Sequence, residues 1–95
     1  MIRMTVLYPS GDGSTFDHDY FRDTHVPMAV KAWSLDGAQV LKGFNGPYVA
    51  SVEFAFADQD ALNAAFGAPG TAEVMADVPN YTNITPVMQM SEMVD

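Results

Sequence analysis

The chain predicts an α+β domain whose elements follow in the order β-α-β-β-α-β. Three observations lead there. An alternating apolar segment opens the chain, an Asn-Gly turn joins two strand-like segments in its middle, and a helical stretch stands on each side of that pair.

Over residues 2–8, Ile2, Met4, Val6 and Tyr8 alternate with Arg3, Thr5 and Leu7, which is strand periodicity, and Pro9 ends the run. The loop 10–15 holds Gly11 and Gly13, but GDGS lacks the spacing and the lysine of a phosphate-binding loop, so it reads as a plain strand-to-helix connection. The stretch 16–32, FDHDYFRDTHVPMAVKA, organises the rest. Phe16 before Asp17, with Phe21 following, is a hydrophobic staple around an acidic N-cap, and Asp19 adds negative charge where the helix dipole favours it. Pro27 has no N–H to donate and crowds the Asp23 carbonyl, so the helix must bend or leave a carbonyl free close to His25. His25 shares an apolar face with Phe21, Met28, Ala32 and Leu35, with Tyr20 and Thr24 alongside, and is therefore partly buried. The helix is expected to run to Leu35, with Asp36-Gly37 as its stop and Lys31 and Trp33 on its outer flank.

Residues 38–44 form a second strand, and Asn45-Gly46 before Pro47 turns the chain into a third over 48–57. There Tyr48, Ala50, Val52, Phe54 and Phe56 make a heavy apolar face, against a lighter one of Val49, Ser51, Glu53, Ala55 and Ala57. Asp58 caps a helix over 59–66 whose buried stripe is Leu62, Ala65 and Phe66. Gly67-Ala68-Pro69-Gly70 breaks it, a short helical piece covers 71–77, Asn80-Tyr81-Thr82-Asn83 is extended, and residues 84–93 form the last strand. This order is ferredoxin-like: an antiparallel sheet carries both helices on one face. The heavy faces of the first and third strands must meet those helices. The opposite face, with Thr5, Leu7, Val49, Ala55 and Val87, is too apolar for water and predicts two sheets paired across a two-fold axis in a homodimer.

At 95 residues the chain is one domain, residues 1–95, small enough that a partner chain would help burial. Its net charge of −8, with Arg3, Arg22, Lys31 and Lys42 as the fixed cations, offers no basic patch to nucleic acid or anionic membrane. The absence of cysteine excludes disulfides, thiolate zinc sites and Cys nucleophiles, and fits a reducing cytoplasm. With no leader and no apolar run long enough to span a bilayer, a soluble cytoplasmic product is expected. No metal is expected either. His18 and His25 are seven apart, roughly 10 Å at the helical rise, whereas two helical ligands for one ion want a spacing of four. No nucleophile elbow marks a serine for triad chemistry.

What remains is a pocket between the first helix and the heavy sheet face, lined by Tyr8, Tyr20, Phe21, Phe54 and Phe66, with His25 and Tyr81 as its polar groups. Such a site suits a flat, apolar small molecule bearing a carbonyl or phenol. On the residues alone His25 is either a core histidine held by hydrogen bonds, the commoner fate of a lone His on an apolar face, or an acid/base group poised near neutral pH. For the aromatics, plain core packing is the alternative to ligand contact.

The pattern TFDHDYFRDTHVPMA, preceded by LYP and followed by DVPNYTN, resembles the EthD family. The resemblance covers nearly the whole chain, and its most specific parts are Asp17, Tyr20 with Phe21, and Thr24-His25-x-Pro27. It implies a small ferredoxin-like chain that forms a dimeric α/β barrel and needs no cofactor. The family takes its name from gene clusters that degrade an alkyl ether. Related barrels include cofactor-free monooxygenases, muconolactone isomerase-like enzymes and polyketide cyclases, several with polar groups between helix and sheet. The function this implies is binding of a small apolar or aromatic metabolite, with cofactor-free proton transfer in a cyclisation, isomerisation or decarboxylation. His25 would act as general acid/base and Tyr81 or Tyr20 would donate to an enolate or phenolate oxygen. The alternatives are a noncatalytic accessory module that shelters or delivers a hydrophobic compound to an oxygenase, and a cofactor-free monooxygenase.

Overall fold

In the computed structural model, which describes residues 1–94, β1 (Ile2–Pro9), β2 (Gln39–Lys42), β3 (Tyr48–Phe56) and β4 (Val87–Glu92) form one antiparallel sheet in the order β2-β3-β1-β4. Register follows from the alternation. Met4 stands opposite Phe54, Val6 opposite Val52 and Tyr8 opposite Ala50, so the heavy residues of both central strands share one face. That face packs under the helices: α1 (His18–Tyr20), a π turn (Phe21–His25) and α2 (Val26–Ala32) in one continuous run, then α3 (Gln59–Phe66), α4 (Thr71–Ala76) and a 3₁₀ turn (Val78–Asn80). The core between the layers is Met4, Tyr8, Phe21, Val52, Phe54 and Leu62 with their neighbours. The architecture is the ferredoxin-like α+β fold, as the element order predicts.

Several local expectations are corrected. The second and fourth strands are shorter than 38–44 and 84–93: past Lys42 the Gly43 amide still donates to the Val49 carbonyl at 2.8 Å before the chain turns, and Pro86, just before Val87, has no N–H to add to a ladder. The first helix stops at Ala32, before Asp36-Gly37. Ser34 takes a left-handed φ of 54°, the Leu35 amide donates to the Val30 carbonyl at 2.9 Å and the Ser34 amide to that of Lys31 at 3.3 Å, which is a Schellman termination. Trp33 is not on the outer flank: its ring meets Phe54 edge-on at a centroid separation of 5.0 Å and its indole N–H donates to Thr71 Oγ1 at 2.9 Å. Phe66 is 46% exposed, because it lies roughly 90° around α3 from the centre of the Ala61, Leu62 and Ala65 stripe. Residues 80–83 are not an extended segment throughout, since Asn80 ends the 3₁₀ turn and Tyr81 is buried at its cap. Among the described residues no helix is long and apolar enough to cross a membrane.

Candidate functional site

The start of the first helix is built as its sequence predicts. Asp17 accepts from the Tyr20 amide at 3.1 Å, and Phe16 meets Phe21 edge-on with centroids 5.0 Å apart. The defect anticipated at Pro27 takes the form of the π turn, in which the Val26 amide reaches back to the Phe21 carbonyl. The wider turn absorbs the proline's missing donor, and His25 ends it, buried. Hydrogen bonds from a distant segment then enclose this turn. The Thr82 hydroxyl donates to the Thr15 carbonyl at 2.6 Å, the Asp17 amide donates to the Tyr81 carbonyl at 2.8 Å, and Asn83 bridges the Thr15 amide and the Gly13 carbonyl. These bonds fasten the segment after α4 to the loop before α1 and so bring Asp77 and Tyr81 to His25.

Asp77, 7% exposed, is the hub of the site. Its Oδ1 accepts from the Tyr20 hydroxyl at 2.7 Å and the Asn80 side-chain Nδ2 at 2.9 Å, and its Oδ2 lies 2.9 Å from His25 Nδ1. Burial alone would raise the Asp77 carboxyl, but the bonds from Asn80, His25 and Tyr20 outweigh it and hold the group below the usual carboxylate range. An ionised carboxylate can only accept, so Nδ1 carries the imidazole proton. Burial pushes His25 below its ordinary value against the opposing pull of Asp77. The ring is therefore neutral at pH 7, with the lone pair on Nε2, and among the described residues that nitrogen has no hydrogen-bond partner.

His25 lines an apolar cleft between the helices and the sheet. Met4, Tyr8, Trp33, Phe54 and Val74 contribute walls, and the exposed Met75 and Met88 stand at the rim. The cleft encloses about 50 Å³, more than the ~10–15 Å³ one water needs. Beside it the Tyr8 and Tyr81 hydroxyls lie 2.6 Å apart. Burial raises both phenols, and the nearby Tyr8 and Asp77 raise Tyr81 further. A neutral imidazole with an open lone pair on a dry wall, oriented by a buried carboxylate, can accept a proton and have the resulting cation stabilised. Among the described residues no three His, Cys, Asp or Glu side chains gather into a set that could hold a metal.

Of the residues expected to form the pocket, Tyr8, His25 and Phe54 line the cleft. Tyr81 stands behind His25, ring centroids 4.5 Å apart, and meets the cleft through Tyr8. Tyr20 is bound to Asp77 and touches the site only through that carboxylate. Phe21 is core: it stacks under His25 at 5.8 Å and joins Tyr8, Phe16 and Tyr81 in a cluster of edge-on and tilted rings. Phe66 is away from the cleft on the exposed side of α3. Sequence reasoning misses Asp77. The signal available was chemical: a His on an apolar face needs a polar partner, and Asp77 stands at the end of a helical piece just before the segment that carries Tyr81.

No protein-family model matches the chain, and no curated protein matches it. Solved structures do. A dimeric protein with a ferredoxin-like fold from Bacteroides fragilis superposes with a TM-score of 0.68 at 11% identity, covering 97% of this chain and 95% of that one. SnoaB, a cofactor-independent oxygenase from Streptomyces nogalater, does so with a TM-score of 0.65 at 13% identity, covering 99% and 92%. At these identities the likeness extends to the fold. An EthD-like protein from Ralstonia eutropha is nearer, with a TM-score of 0.88 and 35% identity over 99% of this chain and 92% of that one. With that identity over almost the full length of both chains, and the Thr24-His25-x-Pro27 pattern lying across the π turn, this chain belongs to the EthD family.

Proposed function

We propose that the chain binds a small apolar or aromatic metabolite and moves a proton on it without a cofactor, with His25 Nε2 as the base. The observation that carries this reading is the His25–Asp77 pair on the wall of an apolar cleft, which leaves one basic nitrogen open in a site that otherwise offers almost only hydrocarbon. Asp77 fixes the tautomer and stabilises the imidazolium once formed. Tyr20 is committed to Asp77, so any donor to a developing oxyanion has to come from the Tyr8 and Tyr81 pair. Cyclisation, isomerisation and decarboxylation all run through such an enolate or phenolate. The working unit on this reading is a homodimer, supported by the apolar side chains of Leu7, Leu41, Val49 and Val87 on the sheet face that no helix covers.

The test is hydrogen exchange in a flat enolisable ketone, 2-tetralone, followed by proton NMR in D₂O. The wild type should speed loss of the protons beside the carbonyl, and His25→Asn, which keeps an amide donor for Asp77 but removes Nε2, should return the rate to that of buffer. Equal rates for the two proteins would remove the base and leave the second reading, a module that shelters a hydrophobic compound. That reading draws on the nearly unbroken apolar lining of the cleft. Oxygen uptake with the ketone in place of exchange would instead favour a cofactor-free monooxygenase, the kind of activity named for the Streptomyces nogalater structure.

A further inference from the structure

Two phenol hydroxyls carry two protons, and the single hydrogen bond between Tyr8 and Tyr81 uses one of them. Both residues are buried, at 2% and 3% exposure, and among the described residues neither oxygen has a second partner. One O–H is therefore left without an acceptor inside the protein, a costly arrangement unless something else accepts it. Were Tyr8 the donor within the pair, the spare proton would sit on Tyr81, which does not line the cleft. With Tyr81 as donor, the spare proton sits on Tyr8, which does.

We infer that Tyr8, with Tyr81 donating to its oxygen from behind, is the hydrogen-bond donor of the cleft. The ligand then pairs a carbonyl or phenolate oxygen, held by Tyr8, with an acidic C–H or O–H presented to His25 Nε2. This rests on the reading of His25 above and narrows the ligand to an enolisable ketone or related phenol on a flat apolar skeleton. In the step it describes, Nε2 takes the proton from the carbon beside the carbonyl, and the C–H electron pair becomes the C=C bond. The carbonyl π pair moves to oxygen, and the Tyr8 hydroxyl donates to that oxygen. Return of the proton to the same carbon exchanges hydrogen, and return to a different atom isomerises the molecule. Tyr81 acts as a positioning residue, holding the Tyr8 oxygen without touching the ligand. Met75 and Met88, unbranched and exposed at the rim, are the side chains able to swing aside for a bicyclic skeleton.

Affinities for 2-tetralone and for tetralin, the same skeleton without the oxygen, measured by NMR titration of wild type, Tyr8→Phe and Tyr81→Phe, test the assignment. The wild type should prefer the ketone about tenfold, the scale of one hydrogen bond in a dry site. Tyr8→Phe should bind the two alike while holding tetralin as well as the wild type does, and Tyr81→Phe should keep most of the preference. A preference retained in Tyr8→Phe, or lost in Tyr81→Phe alone, overturns the inference, as does a wild type that binds neither compound. Should Tyr8→Phe not fold, the Tyr8 hydroxyl proton of the wild type is the second readout: 2-tetralone should shift it downfield, and an unmoved resonance overturns the inference equally. A wild type that prefers the ketone yet does not exchange its protons would remove the base role of His25 and leave the Tyr8 donor standing.

Discussion

His25 and Asp77 shift in the same sense on folding, and this gives the site a pH signature. Unfolded, His25 takes up its proton around its ordinary value of 6.5, whereas burial holds the folded ring lower. Its contribution to stability is therefore complete above about pH 6.5 and is lost as the pH falls through the folded value. Asp77 is also depressed, from 3.8, so its contribution is complete above that value and disappears in stronger acid. In both windows the unfolded chain binds more protons, and stability rises with pH. Melting temperature should thus drop as the pH is taken from about 7 to about 5, and His25→Asn should flatten that limb. The half-buried His18, also lowered by burial, titrates in both proteins, so the difference between their curves isolates His25. Parallel curves would show that the ring does not carry the dependence.

At the scale of elements, the first helix decides the geometry of the site at two points, one in its middle and one at its end. Its π turn sets where His25 lies, and its Schellman end sets where the chain leaves for β2. The terminating residue is Ser34 in a left-handed conformation that costs an L-residue about 1 kcal/mol and suits glycine better. Ser34→Gly should raise stability in urea by about 0.5–1 kcal/mol with the fold unchanged; a loss of stability would mean that the serine side chain has a role of its own. α2 also approaches α4 closely. A Cβ on Gly70 would come within 2.8 Å of the Ala32 Cβ, so glycine at the start of α4 lets that helix lie against α2 and keeps Asp77, at its end, near His25.

At the scale of the molecule, the uncovered sheet face carries an ion pair. Arg3 donates from Nη1 to Glu53 Oε1 at 3.1 Å across the β1 and β3 strands, as their alternation predicts. Their side chains are 31% and 33% exposed in the single chain, and Arg3 Nε is buried with no partner among the described residues. A second sheet laid on this face would desolvate the pair, so each charge would need the other. At micromolar concentration the protein should scatter light as a dimer. Glu53→Ala should weaken that dimer by about 1–3 kcal/mol, whereas replacing both residues with apolar side chains of similar size should cost much less. A stable monomer, or single and double variants that associate as tightly as the parent, would show that this face is not the interface.

What the sequence determined by itself is what neighbours along the chain decide. The Asp17 and Asp58 caps, the Asn-Gly hairpin, the irregularity at Pro27 and the two faces of β1 and β3 all depend on groups within about four residues of each other, or on a period of two or 3.6. Those interactions survive whatever the rest of the fold does. Trp33 turning inward, Phe66 turning outward and Asp77 meeting His25 were decided by the tertiary structure. Asp77 lies 52 positions from His25, and Tyr8 lies 73 from Tyr81. One of twelve acidic residues becomes the partner of the buried imidazole only because Thr82 and Asn83 fasten the end of α4 to the loop before α1. A local pattern can state that a buried histidine needs a partner. Only the packing of the two halves against one sheet selects which carboxylate arrives there, because that choice depends on distances between segments that no periodicity encodes.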